Sequence, residues 1–189
     1  MKKEELLNQV KDLLNNNVLT IEELLLSLFK NEDGHLDLRF LDFSDFDGNV
    51  YINNMKVKNN LYQGEQEVQG NLFQSHQKVE GDLYQGHQQV QGDLYQDEQE
   101  VKGDLYQGEQ KVKGELFQSH QEVQGDLSQS CQQIQGNLYQ GCQQIQGNLY
   151  QGFQKVKGEL FQDCQKVERN LYQDGQQVKG ELYQDFLDE

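Results

Sequence analysis

From residue 49 to residue 180 the chain repeats itself every eleven residues, twelve times over. Asn60-Leu61-Tyr62-Gln63-Gly64-Glu65-Gln66-Glu67-Val68-Gln69-Gly70 is a typical unit. Eleven residues cannot enclose a core of their own, so the units must stack on one another. Stacking also resolves an apparent conflict with composition. Hydrophobic content is 34% and mean hydropathy −0.92, values that in an aperiodic chain point to disorder. Stacked units share one thin continuous core and need less apolar material. Proline is absent, as long backbone ladders require, because proline lacks the N–H donor.

An eleven-residue period is compatible with a helix of three turns, and Leu61, Val68 and Leu72 have the spacing of such a stripe. The glycines argue against it. Ten of the twelve units end in Gly, and each would cost a helix about 1 kcal/mol relative to Ala. Read as a strand, the unit falls into phase. Gln66, Val68, Gly70, Leu72 and Gln74 alternate onto one face and barely vary between units. Glu67, Gln69 and Asn71 alternate onto the other, where Lys, Glu, Gln, Asp and Asn interchange. A constant face and a variable face are the signatures of inside and outside. The expected fold is therefore mainly β, a single-stranded β-solenoid.

The turn lies between the two constant glutamines, as in Gln63-Gly64-Glu65-Gln66, with Gly, Ser or Asp followed by a variable residue. Glutamine at both shoulders predicts amide ladders running from coil to coil. Two units per coil, 22 residues, is the preferred closure, and three units is the alternative. Six such coils at ~4.8 Å each make a rod roughly 30 Å long. The recurring glycine marks a corner or a close approach of backbones.

The flanks differ from the repeat. Residues 1–33 predict a short N-terminal α-helical cap. Leu6, Leu7, Val10, Leu13 and Leu14 have helical spacing, and Thr20 with Glu23 forms a capping box ahead of Leu24, Leu25, Leu28 and Phe29. Residues 34–48 follow a five-residue cadence, with Leu36-Asp37-Leu38, Leu41-Asp42-Phe43 and Phe46-Asp47-Gly48 in phase. Residues 49–189 hold the twelve units plus a partial C-terminal one, whose Phe186-Leu187 is expected to cover the last coil. The first unit is degenerate, with Ile52 and Met55 where later units carry Gln.

Net charge is −16, which disfavours direct nucleic-acid binding and favours a protein partner or competition with nucleic acid for a basic groove. The start Met1-Lys2-Lys3-Glu4-Glu5 lacks the apolar run of a signal peptide, no stretch is long enough to span a membrane, and Cys131, Cys142 and Cys164 are an odd number of cysteines. A cytoplasmic protein with reduced thiols is expected, with no membrane association.

Three outward features are candidates for function. Tyr62, Phe73, Tyr84, Tyr95, Tyr106, Phe117, Tyr139, Tyr150 and Phe161 follow Leu in their units, and only Ser128 interrupts the series. Stacked rings are usually structural ladders, and a partner or dimer face is the functional alternative. Asp82, Asp93, Asp104, Glu115 and Asp126 recur at one position and suggest an acidic column. Leu127–Gln154 contains no charged residue, and this band, with Ser128, Cys131, Tyr139, Cys142 and Tyr150, suggests an assembly seam or else simple drift. His76, His87, His120 and the three cysteines all occupy the variable turn position, which also holds Glu65, Phe153 and Gly175. That tolerance favours solvent-facing turns over a metal site, and no cofactor is implied. No catalytic constellation stands out, so the chain is not expected to be an enzyme. Thr20 is the only threonine, which argues against a threonine-array ice-binding surface.

The helical start, residues 41–48 (Leu-Asp-Phe-Ser-Asp-Phe-Asp-Gly) and the Gly-Asp-Leu-Tyr-Gln units together resemble small solenoid proteins of phages and prophages of low-GC Gram-positive bacteria. The resemblance implies a bacterial host cytoplasm and supplies no site. A more distant similarity is to pentapeptide-repeat proteins, some of which are acidic β-helices that imitate duplex DNA and bind topoisomerase. The period here departs from theirs over most of the chain. The expected function is a non-enzymatic protein-binding or scaffold module. The alternatives are a DNA mimic that blocks a host nucleic-acid-processing or defence enzyme, and a self-assembling solenoid similar to bactofilins or curli. A covering helical cap argues against open-ended stacking.

Overall fold

The computed structural model describes residues 36–39, 41, 43, 45 and 48–186. The helical cap expected over residues 1–33 lies outside the described residues, as does Leu187. Among the described residues there is no helix, and the regular structure is a parallel β-solenoid of about seven turns.

Each unit contributes two short strands, the Leu-Tyr pair and the pair ending in Val, as in Leu61–Tyr62 and Glu67–Val68. Partners lie 22 residues apart. Leu61 pairs Leu83, which pairs Leu105, and Val68 pairs Val90, which pairs Val112. A coil is therefore two units, as the preferred closure has it. One turn visits four sides in order, at Leu61, Val68, Leu72 and Val79, before the chain returns at Leu83. The Leu61 and Leu72 faces are thus opposite one another, as are the Val68 and Val79 faces. Leu36–Asp37 opens the Leu61 face by pairing Leu61–Tyr62, and Phe43 bridges Val68. This segment of five-residue cadence is the first layer, offset by 25 residues instead of 22.

Alternation places Leu61, Leu72, Leu83 and their equivalents up to Leu160 at 0% exposure. They sort into two columns. Val79, Leu83, Val101 and Leu105 belong to one, and Val68, Leu72, Val90 and Leu94 to the other. Each column fills the corner between a Val strand and the next Leu strand. At that corner sits the constant glycine, whose role is clearest at Gly103. A Cβ there would lie 2.2 Å from Asp82 Oδ1 and 2.7 Å from the Gly81 carbonyl oxygen. Any side chain would force the coils apart.

The other two corners carry the glutamines, buried at 0–3% exposure from Gln63 to Gln165. They form one continuous amide network through the interior. Gln107 Nε2 donates to Gln99 Oε1 at 2.9 Å and Gln85 Oε1 at 3.2 Å, while its own Oε1 accepts from Gln121 and Gln129, both at 3.1 Å. The second glutamine of each turn also reaches a main-chain carbonyl of the preceding coil, as Gln132 does to Gln107 O at 2.8 Å. Every one of these donors points toward the N-terminus. The column therefore ends with unmatched amide donors at Gln63 and Gln66 and an unmatched acceptor at Gln165. The degenerate first unit explains the N-terminal end, because Ile52 and Met55 pack into the apolar columns and offer no side-chain acceptor.

Candidate interaction faces

The turns hold one feature that periodicity did not reveal. The variable turn residue has positive φ in every unit, from Asn54 (62°) through His87 (56°) and Cys142 (52°) to Gly175 (62°). Glycine stands there only once, so the turns accept a strain of about 1–2 kcal/mol per residue at most of these positions. The residue before it is small because it faces the next coil. Where it has a side-chain acceptor, that group takes the next coil's N–H. Asn53 Oδ1 accepts from Ser75 N at 2.8 Å and Asp97 Oδ1 from Ser119 N at 2.6 Å. Burial pushes the Asp97 carboxyl above the usual aspartate range.

With two units per coil, residues eleven apart fall on opposite sides. The aromatic series is two ladders. Tyr51, Phe73, Tyr95, Phe117, Tyr139, Phe161 and Tyr183 form an unbroken stack on the Leu72 face, with ring centroids 4.5–4.9 Å apart. Tyr62, Tyr84 and Tyr106 stack on the Leu61 face, Ser128 follows, and Tyr150 and Tyr172 resume the stack. The rings stand outward; Tyr62, Phe73, Tyr84, Tyr95, Phe117, Tyr139 and Phe161 are half-buried by their neighbours, and Tyr51, Tyr106, Tyr150, Tyr172 and Tyr183 are exposed.

The acidic series divides in the same way. Asp82, Asp104 and Asp126 lie beside the first ladder, and Asp93 and Glu115 beside the second. Most of these carboxylates are engaged within the fold. Asp82 Oδ1 accepts the Asp104 N–H of the next coil at 2.9 Å, and its Oδ2 accepts the Tyr84 hydroxyl at 3.2 Å. Asp104 does the same with Asp126 N–H at 2.8 Å and the Tyr106 hydroxyl at 3.0 Å. Burial and the adjacent Asp104 push the Tyr106 phenol up to about 12, and burial with Asp82 raises Tyr84 further.

The uncharged band is also distributed around the rod. Ser128 and Tyr150 are on the Leu61 face and Tyr139 on the Leu72 face. Cys131 and Cys142 occupy the two different turn columns. Cys142 lies next to Cys164, and burial together with that thiol raises the Cys142 pKa. Among the described residues, no cluster of three or more His, Cys, Asp or Glu is arranged to hold a metal ion, and no helix is long and apolar enough to cross a membrane.

Two surfaces emerge only from the coil. Among the described residues, the outward positions flanking the valines of the Val68 face collect Lys111, Lys113, Lys155, Lys157 and Lys179, against Glu67 alone among carboxylates. A basic side therefore exists on a chain of net charge −16. The opposite Val79 face is mixed, with Lys102–Glu80 (3.4 Å) and Lys78–Glu100 pairs bordering a shallow groove of about 390 Å³. Finally, among the described residues of the last coils, Leu171 is 37%, Tyr172 50% and Leu182 47% exposed.

Comparison of the chain with family models, curated proteins and solved structures finds no match.

Proposed function

We propose that this chain is a non-enzymatic protein-binding or scaffold module. It is a β-solenoid rod that presents chemically distinct sides to protein partners in a bacterial cytoplasm, with a phage or prophage origin as the context. The observation that carries this reading is the unbroken ring ladder of the Leu72 face. Rings held by stacking offer contact area with little entropy left to lose, the property that enriches Tyr and Phe at interfaces. The same ladder suits a homodimer. Direct contact with nucleic acid or membrane has no part in the proposal.

DNA mimicry has less support. A mimic needs a row of free charges on one side. Here the row splits over opposite faces, and Asp82, Asp93 and Asp104 are each held by a main-chain N–H and a tyrosine hydroxyl. End-to-end assembly is favoured by one observation, the exposed Leu171 and Leu182 of the last described coils.

The test is capture from a bacterial lysate with tagged protein and its outward variants. A partner that survives excess duplex DNA, and is lost from Tyr95→Ser/Tyr139→Ser but not from Lys111→Gln/Lys113→Gln, supports the reading. Partners displaced by DNA would favour mimicry instead. Concentration-dependent filaments in light scattering, with no captured protein, would favour assembly.

A further inference from the structure

We propose that the gap at Ser128 is a binding slot for a flat phenolic ring. Every other position in the Leu61-face ladder above Tyr62 is tyrosine, namely Tyr84, Tyr106, Tyr150 and Tyr172. The backbone does not skip at Ser128. Leu105 pairs Leu127 and Leu127 pairs Leu149 in unbroken register. Tyr106 and Tyr150 are therefore two ladder steps apart, each step being 4.7–4.9 Å elsewhere in this ladder. That separation admits one ring stacked on both sides. The two rings that border Ser128, Tyr106 and Tyr150, are 37% and 36% exposed.

The tyrosine hydroxyl that elsewhere bonds the aspartate of this ladder is missing at the same place. Asp82 and Asp104 each accept the hydroxyl of the tyrosine two residues on. Asp126 is their equivalent, but residue 128 has no phenol to donate. Its Oδ2 accepts only Asn148 Nδ2, at 3.3 Å, among the described residues. A ring entering the slot with its hydroxyl placed as in Tyr84 and Tyr106 would donate to Asp126 Oδ2. A groove of about 500 Å³ runs along Tyr62, Tyr84 and Tyr106 as far as Ser128. The ligand class is a para-substituted phenol, either a free small molecule or the tyrosine side chain of a partner.

The slot does not depend on the protein-binding reading, because it is tested with small molecules alone. Full-length protein with labelled tyrosines is titrated with p-cresol and the ring resonances are followed by NMR. The expected result is saturable shifts at Tyr106 and Tyr150 with Kd on the order of millimolar, as befits so small a ligand. 4-Methylanisole, which fits but cannot donate, should bind about ten-fold more weakly. Ser128→Tyr, which supplies the missing ring, should abolish the shifts, and Ser128→Ala should retain them. N-Acetyl-tyrosinamide separates the two sources. Binding as tight as p-cresol or tighter indicates a peptide tyrosine, and exclusion indicates a free phenol. The proposal is overturned if p-cresol gives no saturable shift, if the shifts spread evenly over all tyrosines, if 4-methylanisole binds equally well, or if Ser128→Tyr still binds.

Discussion

At the level of single residues, the interior of this protein is held by amides as much as by hydrocarbon. Gln107 is 0% exposed and makes four side-chain amide bonds, two as donor and two as acceptor. Gln107→Ala leaves a cavity and takes one of the acceptors from each of Gln121 and Gln129, which keep their bonds to Gln96 O, Gln99 Oε1 and Gln121 Oε1, a combined cost of about 3 kcal/mol. Gln89→Ala, one turn away but outward, should change stability by less than about 0.5 kcal/mol. Denaturant titration of both variants checks this, and equal losses would mean the interior network contributes nothing specific. Asp97 gives a prediction of opposite sign. Its raised pKa means that protonation is favoured by folding. The carboxyl therefore costs no stability below the unfolded pKa and costs progressively more as pH rises through the folded value. Asn53 shows that an amide can fill this site and accept the same N–H. Asp97→Asn should raise Tm at pH 7 by roughly 2–4 °C, as for a gain of about 1 kcal/mol in a chain of this size, and the gain should vanish below about pH 4. A gain independent of pH would point to a cause other than the buried charge.

At the level of elements, the turns set what chemistry neighbouring coils can share. Cys142 and Cys164 are successive members of one positive-φ turn column, and Cys131 belongs to the other, beside Phe153. Adjacent coils lie ~4.8 Å apart, inside the Cα range of about 4.4–6.8 Å for a disulfide. Oxidised glutathione should therefore join Cys142 to Cys164, the two thiols losing two electrons and two protons as the oxidant becomes two glutathione thiols. The raised Cys142 pKa delays formation of the attacking thiolate, so the reaction should be slow at neutral pH and accelerate as pH rises toward and beyond 9. Peptide mapping by mass spectrometry reads the pairing, and coupling through Cys131 would contradict the column assignment. The shared turn position of these cysteines was legible in the repeat. The positive φ was not, because His, Glu, Cys and Phe give no hint of the left-handed conformation that Gly175 and Asn54 announce.

At the level of the whole molecule, stability is a sum over like layers. Removing one complete coil, residues 94–115, joins Asp93 to Leu116 and preserves every inward position. The shortened protein should keep a cooperative thermal transition and a parallel-β circular dichroism spectrum, with a modestly lower Tm. Removing only residues 94–100 deletes less but shifts every later strand out of phase, and should abolish that transition. If both deletions melt alike, the stack does not depend on register. The coil also decides how charge is displayed. The net charge of −16 conceals a basic Val68 face, because three coils carry outward lysines on that side with few carboxylates to offset them, whereas the lysines of the Val79 face stand among glutamates.

What the sequence determined by itself was the unit. The constant Gln, Val, Leu and Gln positions declared the inside, the glycine declared the close approach seen at Gly103 and Gly81, and the small residue declared the turn. These are local properties, set by alternation and by steric limits within eleven residues. Two units per coil was preferred over three but not determined, because identical units carry no mark of the angle each one turns. Only the tertiary structure chose two, and with that choice one aromatic series became two ladders and one acidic series became opposite rows. It also turned Ser128 from a lapse in a pattern into a gap between two tyrosine rings. Residues 22 apart meet through the register of stacked coils, and nothing in their own neighbourhoods in the chain could show it.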